Sequence, residues 1–272
     1  MRKRVLAYSS LPALSRAGSA VWGVAKRGRD KFGASATRVY RALLRRQNVS
    51  RSAKSVATAL GPVVLDHDAF VRRSDYRNET WERVRNRFSD RPRLFYGFPV
   101  RSRDHACPDE KVTYRTGRFD IGSSDIDDDW VWMEVSEELP NDLRLSLTFL
   151  LATPIKEVQF GVRYVDFYNR YRFRFQDGYL HFDIVVRGVF LNGLARAPFE
   201  LEVGRPYRLD IDVVANALQA SLDGIPTLTV RDPFRLFRRG GVALIFWDDR
   251  PGHDVALTVS DVTVRALEPR RS

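Results

Sequence analysis

Apolar and polar residues alternate along much of residues 130–267, with the period of two that marks a half-buried β-strand. Leu143, Leu145, Leu147, Phe149 and Leu151 are separated by Arg144, Ser146, Thr148 and Leu150. Tyr171, Phe173 and Phe175 are separated by Arg172 and Arg174. Tyr207, Leu209, Ile211 and Val213 are separated by Arg208, Asp210 and Asp212, and Leu218, Ala220 and Leu222 by Gln219 and Ser221. Further strands are predicted at Trp130–Ser136, Glu157–Val165, Tyr179–Val186, Thr227–Val230, Gly241–Phe246 and Ala256–Ala266. Gln176-Asp177-Gly178 and Asp223-Gly224 read as tight hairpin turns, and Arg239-Gly240-Gly241 opens a late strand. About ten short strands, each with one core face and no helical crossover between them, predict two packed antiparallel sheets.

Upstream the period changes. Leu14, Ala17, Val21 and Val24 recur at helical spacing, then Val39, Tyr40, Leu43 and Leu44, and more weakly Val56, Ala57 and Leu60. Pro12 is placed to open the first helix, and Gly33 and Gly61 to end segments. Between arm and strands the pattern is harder to read. Val63–Leu65 suits a first strand, Asn78–Phe88 a short helix, Arg91–Val100 a strand, and Arg101–Lys111 a polar loop. The expected organisation is a basic helical arm over residues 1–62 and a sandwich over 63–272. The fold class is mainly β: a two-sheet antiparallel jelly-roll sandwich behind an α-helical N-terminal arm.

Charge separates the two parts. The chain carries +11 overall, yet residues 1–60 hold 14 Lys/Arg and a single acid, Asp30. The sandwich is therefore nearly neutral, and any electrostatic partner belongs to the arm. Arg2, Lys3 and Arg4 resemble the start of a signal peptide, but Ser9, Ser10, Pro12 and Arg16 break the apolar run that would follow. No run approaches the roughly 20 apolar residues of a membrane span. Four readings fit the arm. An anionic membrane surface suits its apolar stripes, Lys/Arg and aromatic Trp22, Phe32 and Tyr40. A nucleic acid suits its charge, as in capsid proteins with a basic tail before a jelly roll. The Arg- and Ser-rich, acid-poor composition also suits an organelle transit peptide. The fourth is the sandwich itself, or another protein, under a packed helical pair.

With 44% apolar and 29% charged residues the chain reads as a folded protein. Its one cysteine, Cys107, permits no intrachain disulfide and fits a reducing compartment. The expected location is cytoplasmic, with peripheral membrane attachment if the arm binds lipid. Asp125, Asp127, Asp128 and Asp129 make the acid-rich run that a calcium loop needs, but the glycine and late glutamate of an EF-hand are not in place. No cofactor is expected, with calcium the one metal to test.

The run GRPYRLDIDVVANALQASLDGIPTLTVRDP, followed by RRGGVALIFWDDRPGHDVALTVSDVTVRAL, resembles the C-terminal half of concanavalin A-like jelly-roll domains. Its nearest likeness is to the laminin-G-like and 3-keto-disaccharide-hydrolase-like branch. FGVRYVDFYNRYRFRFQDGYLHF fits the two central strands, so the resemblance covers about residues 130–267. It implies a lectin-like sandwich. Laminarinase-type members of that superfamily carry an E-x-D-x-E strand, which places nucleophile and acid/base on one face. Trp132-Met133-Glu134 and Asp210-Ile211-Asp212 each lack part of that set. The expectation therefore leans against catalysis, and no catalytic residue is assigned.

Sugar binding calls for aromatic rings beside planar polar groups. Two clusters qualify: Tyr168, Asn169 and Arg170 after Asp166, and Trp247, Asp248, Asp249, Arg250 and His253 before the last strand. A row of Arg163, Arg172, Arg174 and Arg187, with His181 and Asp183, suits an acidic glycan, unless cross-strand ion pairs consume it. The expected function is a non-catalytic glycan-binding sandwich held at an anionic surface by its arm. The alternatives are a glycoside-acting enzyme of the same superfamily, using the Asp248/Asp249/His253 edge, and a capsid-like assembly protein whose arm binds nucleic acid.

Overall fold

The computed structural model describes residues 35–44, 58–80, 112–115, 118–123, 129–135, 137–248 and 255–269. In the strands between residues 75 and 132, and at 247–248, the description is of the backbone. Among these residues lie two antiparallel sheets and two helices, α1 at residues 35–44 and α2 at His67–Arg73.

The strands are β1 (Thr58–Leu65), β2 (Asp75–Thr80), β3 (Val112–Arg115), β4 (Arg118–Ser123), β5 (Asp129–Val135), β6 (Leu143–Leu151), β7 (Glu157–Asp166) and β8 (Asn169–Gln176). They continue with β9 (Tyr179–Val186), β10 (Val189–Pro198), β11 (Pro206–Val214), β12 (Ala217–Leu222), β13 (Ile225–Arg231), β14 (Gly241–Asp248) and β15 (Val255–Pro269). The eight-stranded sheet runs β13-β12-β11-β6-β15-β4-β3, with β1 also paired to β15. The seven-stranded sheet runs β10-β9-β8-β7-β14-β5-β2.

The alternating apolar residues meet where predicted. Phe149 of β6 lies 5.3 Å from Phe160 and 5.7 Å from Phe175, ring centre to ring centre, across the gap between sheets. Val158, Phe160 and Val162, then Phe173 and Phe182, face Leu145, Leu147, Leu209 and Ile211 in one continuous core. The turns obey their chemistry. Asp177-Gly178, Arg187-Gly188 and Asp223-Gly224 all carry positive φ at both central positions, as the tightest hairpin turn requires. Gly241 is fixed by space instead: a Cβ there would sit 1.5 Å from the carbonyl oxygen of Val135.

Several expectations change. Residues 78–80, expected to open a helix, are strand, because β2 pairs along β5 with Asn78 opposite Val131. Leu60, placed in a helical run, is strand and pairs with Leu267, so β1 crosses the boundary expected between residues 62 and 63. Residues 121–123, just before the acid-rich run, lie in β4 opposite β15. Strand β10 and helix α2 have no counterpart in the sequence reading. Asp66 caps α2 by accepting from Ala69 N. Residues 81–111, with the predicted strand, loop and Cys107, lie outside the described residues, as do Asp125, Asp127 and Asp128. No described group of side chains could hold a metal ion, and no described helix is long and apolar enough to cross a membrane.

The arm reaches the core. Ala36, Tyr40 and Leu44, four residues apart on one face of α1, are buried in the sandwich core. Tyr40 packs with its ring tilted and its centre 5.1 Å from that of Phe234, and it donates to the carboxylate of Asp232. Asp232 accepts four hydrogen bonds, from Tyr40, Tyr171, Phe234 N and Leu236 N. Tyr40, one of the aromatics that suggested a membrane interface, is thus a core residue. Burial beside Asp232 holds its phenol well above the ordinary range.

Candidate ligand face

The outer face of the seven-stranded sheet gathers most of the polar residues that alternate with its core. Glu157 and Gln159 come from β7, Arg170, Arg172 and Arg174 from β8, and His181 and Asp183 from β9. Register brings them together: Gln159 stands opposite Arg174, Arg172 opposite Asp183, and Arg174 opposite His181.

Asp183 is the hub. It accepts from Arg172 Nε at 3.0 Å and Arg174 Nε at 2.7 Å through one oxygen, and from the Gly193 amide through the other. Glu157 lies 3.1 Å from Arg174 Nη1, and Gln159 donates to it. Gln159 in turn accepts from Arg172 Nη1 at 2.8 Å. Arg172 Nη2 completes its fork on Asn192 Oδ1 at 2.7 Å. Cross-strand ion pairs therefore do consume Arg172 and Arg174, which are only 2% and 7% exposed.

The two carboxylates are driven apart. Burial raises Asp183, but Arg172 and Arg174 outweigh it and hold the acid below the ordinary aspartate range. Burial wins at Glu157, whose pKa is raised despite the same two arginines. Burial and the charge of Arg172 lower Arg170 to about 10, still protonated at neutral pH. His181 is lowered by burial, then by Arg174.

Tyr168 lies in the β7–β8 turn and Asn169 and Arg170 open β8, and the turn holds itself together. Asp166 accepts from Tyr168 N and Asn169 Nδ2, and Asn169 Oδ1 accepts from Arg187 N. Arg170 is fully buried, lies 4.4 Å over the Phe167 ring and donates to the Phe167 carbonyl. The proposed arginine row is redrawn. Arg163 leaves it, since a register shift at positive φ turns it to donate to the carbonyls of Phe237 and Asn141. Arg187 sits in the β9–β10 turn, and Arg170 joins the row. Of the second cluster, Trp247 and Asp248 end β14 opposite Trp130 and Asp129. Asp249, Arg250 and His253 lie outside the described residues.

Toward the β10 edge the face opens. Tyr179 and His181 are half-buried, with ring centres 5.8 Å apart, and the exposed Arg196 lies 4.4 Å over the Tyr179 ring. His181 Nδ1 has no hydrogen-bond partner among the described residues. Tyr179, Asn192 and Arg196 were missed by sequence reasoning because β10 was not recognised. Asn192-Gly193 interrupts its pattern where pairing with β9 shifts.

No protein-family model and no curated protein matches the chain. Solved structures do. A Bacillus subtilis protein of unknown function with a galectin-like fold superposes with a TM-score of 0.50 at 11% identity, over 79% of this chain and 100% of that one. The fold is a two-sheet antiparallel jelly-roll sandwich of the galectin-like kind. A carbohydrate-binding module, CBM66, from Bacillus subtilis is similar at 14% identity and TM-score 0.47, over 57% of this chain and 91% of that one. A functionally unknown Saccharomyces cerevisiae protein follows at 9% and 0.44, over 72% and 97%. At such identities the likeness is one of fold.

Proposed function

We propose that the chain is a non-catalytic glycan-binding sandwich that takes its ligand on the outer face of the seven-stranded sheet, along its β9–β10 edge. One observation carries this reading. The imidazole of His181 and the guanidinium of Arg196 lie against the ring of Tyr179, beside a floor of arginines, Arg172 and Arg174, held by Asp183, Glu157 and Asn192. Sugars are held by an aromatic face plus planar polar groups fixed before the ligand arrives. Residues upstream of α1 carry most of the excess charge of the arm and suit an anionic surface.

The test is a printed glycan array probed with the full chain and with Arg196→Ala and His181→Ala. Selective binding lost in both variants supports the reading. Binding that survives both places the ligand elsewhere, with the Trp247–His253 segment next to be substituted. A blank array overturns it.

A second reading has its own observation. Glu157 is raised and Asp183 lowered on one face, which is how paired carboxylates divide acid and base roles. Against it, both are buried and share guanidinium partners instead of facing an open cleft. Turnover of an array-selected glycan that Glu157→Gln abolishes would establish the enzyme.

A further inference from the structure

Strand β10 leaves its ladder with β9 between Leu191 and Ala195. Of the displaced residues, Asn192 and Gly193 meet the polar face, with Gly193 at a φ of +58°, and Leu194 is buried in the sandwich core. On its inner side this segment holds the lattice: Gly193 N–H donates to Asp183, and Asn192 Oδ1 accepts from Arg172. On its outer side it is held by helix α1. Arg41 donates to the Gly193 carbonyl through Nη2 at 2.7 Å and Nε at 3.1 Å, and reaches the Asn192 carbonyl at 3.4 Å. One residue earlier, Tyr40 ties the same helix to Asp232.

We infer that Arg41 is a positioning residue for the ligand face, acting through the Asn192–Leu194 segment. Gly193 is gripped from two sides, its amide by Asp183 and its carbonyl by Arg41. Glycine is the residue least able to hold such a conformation by itself, since it has the widest choice of backbone states. The fork of Arg41 removes that freedom, and a lysine offers only a point donor to the same carbonyl. The arm is thus part of the binding architecture: whether α1 is docked sets whether Asn192, Asp183 and Arg172 stand in their present places.

The assignment of a ligand here rests on the glycan reading above; the grip on Gly193 does not. The test compares amide hydrogen exchange in the full chain with that in Arg41→Ala and Arg41→Lys, and probes all three on the same glycan array. Arg41→Ala is expected to speed exchange at residues 192–194 at least tenfold while β6, β11 and β15 keep their protection. Arg41→Lys is expected to fall between. Array signal at fixed protein concentration is expected to drop at least fivefold in Arg41→Ala, with the melting temperature little changed. Unchanged exchange at 192–194 overturns the inference. Exchange that rises equally across the sandwich also overturns it, since Arg41 would then serve stability alone. A blank array with locally faster exchange defeats the glycan reading and leaves the positioning role standing. Undiminished array signal with locally faster exchange overturns Arg41's role in binding.

Discussion

The two sheets turn very different outer faces to their surroundings, although both obey the same alternation. On the eight-stranded sheet the outward residues include Arg144, Ser146, Thr148, Asp210, Asp212, Gln219, Thr229 and Thr258, short or half-exposed in the main. Their ion pairs are local, as where Arg144 lies across Asp212 and Ser146 donates to Asp210. On the seven-stranded sheet Glu157, Gln159, Arg170, Arg172, Arg174 and Asp183 occupy equivalent positions at no more than 7% exposure. Phe167, Phe190, Asn192 and Gly193 form a second layer on them. Polar and outward therefore means surface on one sheet and interior on the other. Burying charge is costly unless every group is paired, and apolar residues of like volume often serve stability as well. A face that had only to be soluble would resemble the eight-stranded sheet.

The largest expected effect follows from the hub. Asp183→Asn takes from the buried Arg172 and Arg174 the carboxylate that lies nearer to both of them than Glu157 does. Removing one partner of a buried ion pair costs about 3–5 kcal/mol. Urea denaturation should show a loss of that order, a large part of the ~5–15 kcal/mol typical of a folded domain. A loss under 1 kcal/mol would mean that water reaches this face, and the contrast between the sheets would fail.

Tyr171→Phe comes next. It removes a donor to Asp232 and the acceptor of Phe237 N, both within the core. Hydrogen bonds to charged groups are worth about 1.5–3 kcal/mol, and the expected loss lies in that range. Tyr171 points to the inner side of the same strand as Arg170 and Arg172, so its loss should leave array binding nearly unchanged. A parallel loss of binding would show that inner and outer faces are not separable.

Glu157→Gln sharpens the comparison through pH. Burial already favours the neutral acid at Glu157, so the amide is expected to cost about 1 kcal/mol or less. The linkage signs of the two acids are opposite. Asp183 is depressed, so its contribution is present above the ordinary aspartate pKa and is lost as pH falls through its lower native value. Glu157 is raised, so the native state binds its proton more tightly than the unfolded chain, and stability falls as pH climbs from the ordinary glutamate value through the raised one. Glu157→Gln should remove that second decline and leave the acid-side loss intact. Melting temperature against pH for both proteins checks this, and identical profiles would contradict it.

How much of this was legible differs along the chain in a physically consistent way. Leu143–Leu151 and Tyr179–Val186 were placed residue for residue, because one face of each meets a core and period two follows. Strand β10 was not, because Asn192-Gly193 breaks the alternation where the strand lifts off to contact Arg41. The Arg172–Asp183 pairing was visible as a possibility, since both stand outward on neighbouring strands. Its burial was not, because exposure of an outer face depends on what else folds over it. Nor does sequence order announce that Tyr40 and Arg41 reach Asp232 and Gly193, about 150 to 190 residues away.

The smallest effect belongs to the eight-stranded sheet and serves as the reference for the others. Arg144 and Asp212 make a two-point pair across β6 and β11, with side chains 30% and 20% exposed. Such pairs, near the surface, are typically worth about 0–1 kcal/mol and weaken with salt. A double-mutant cycle with Arg144→Ala and Asp212→Ala is expected to give a coupling of about 0.5 kcal/mol that shrinks at high ionic strength. The same cycle on Arg172 and Asp183 should give a coupling several times larger and barely moved by salt, because no water or counter-ion stands between them. Equal couplings, or equal salt responses, would mean that the two outer faces share one environment after all. The case for a purpose-built ligand face would then lose its physical ground.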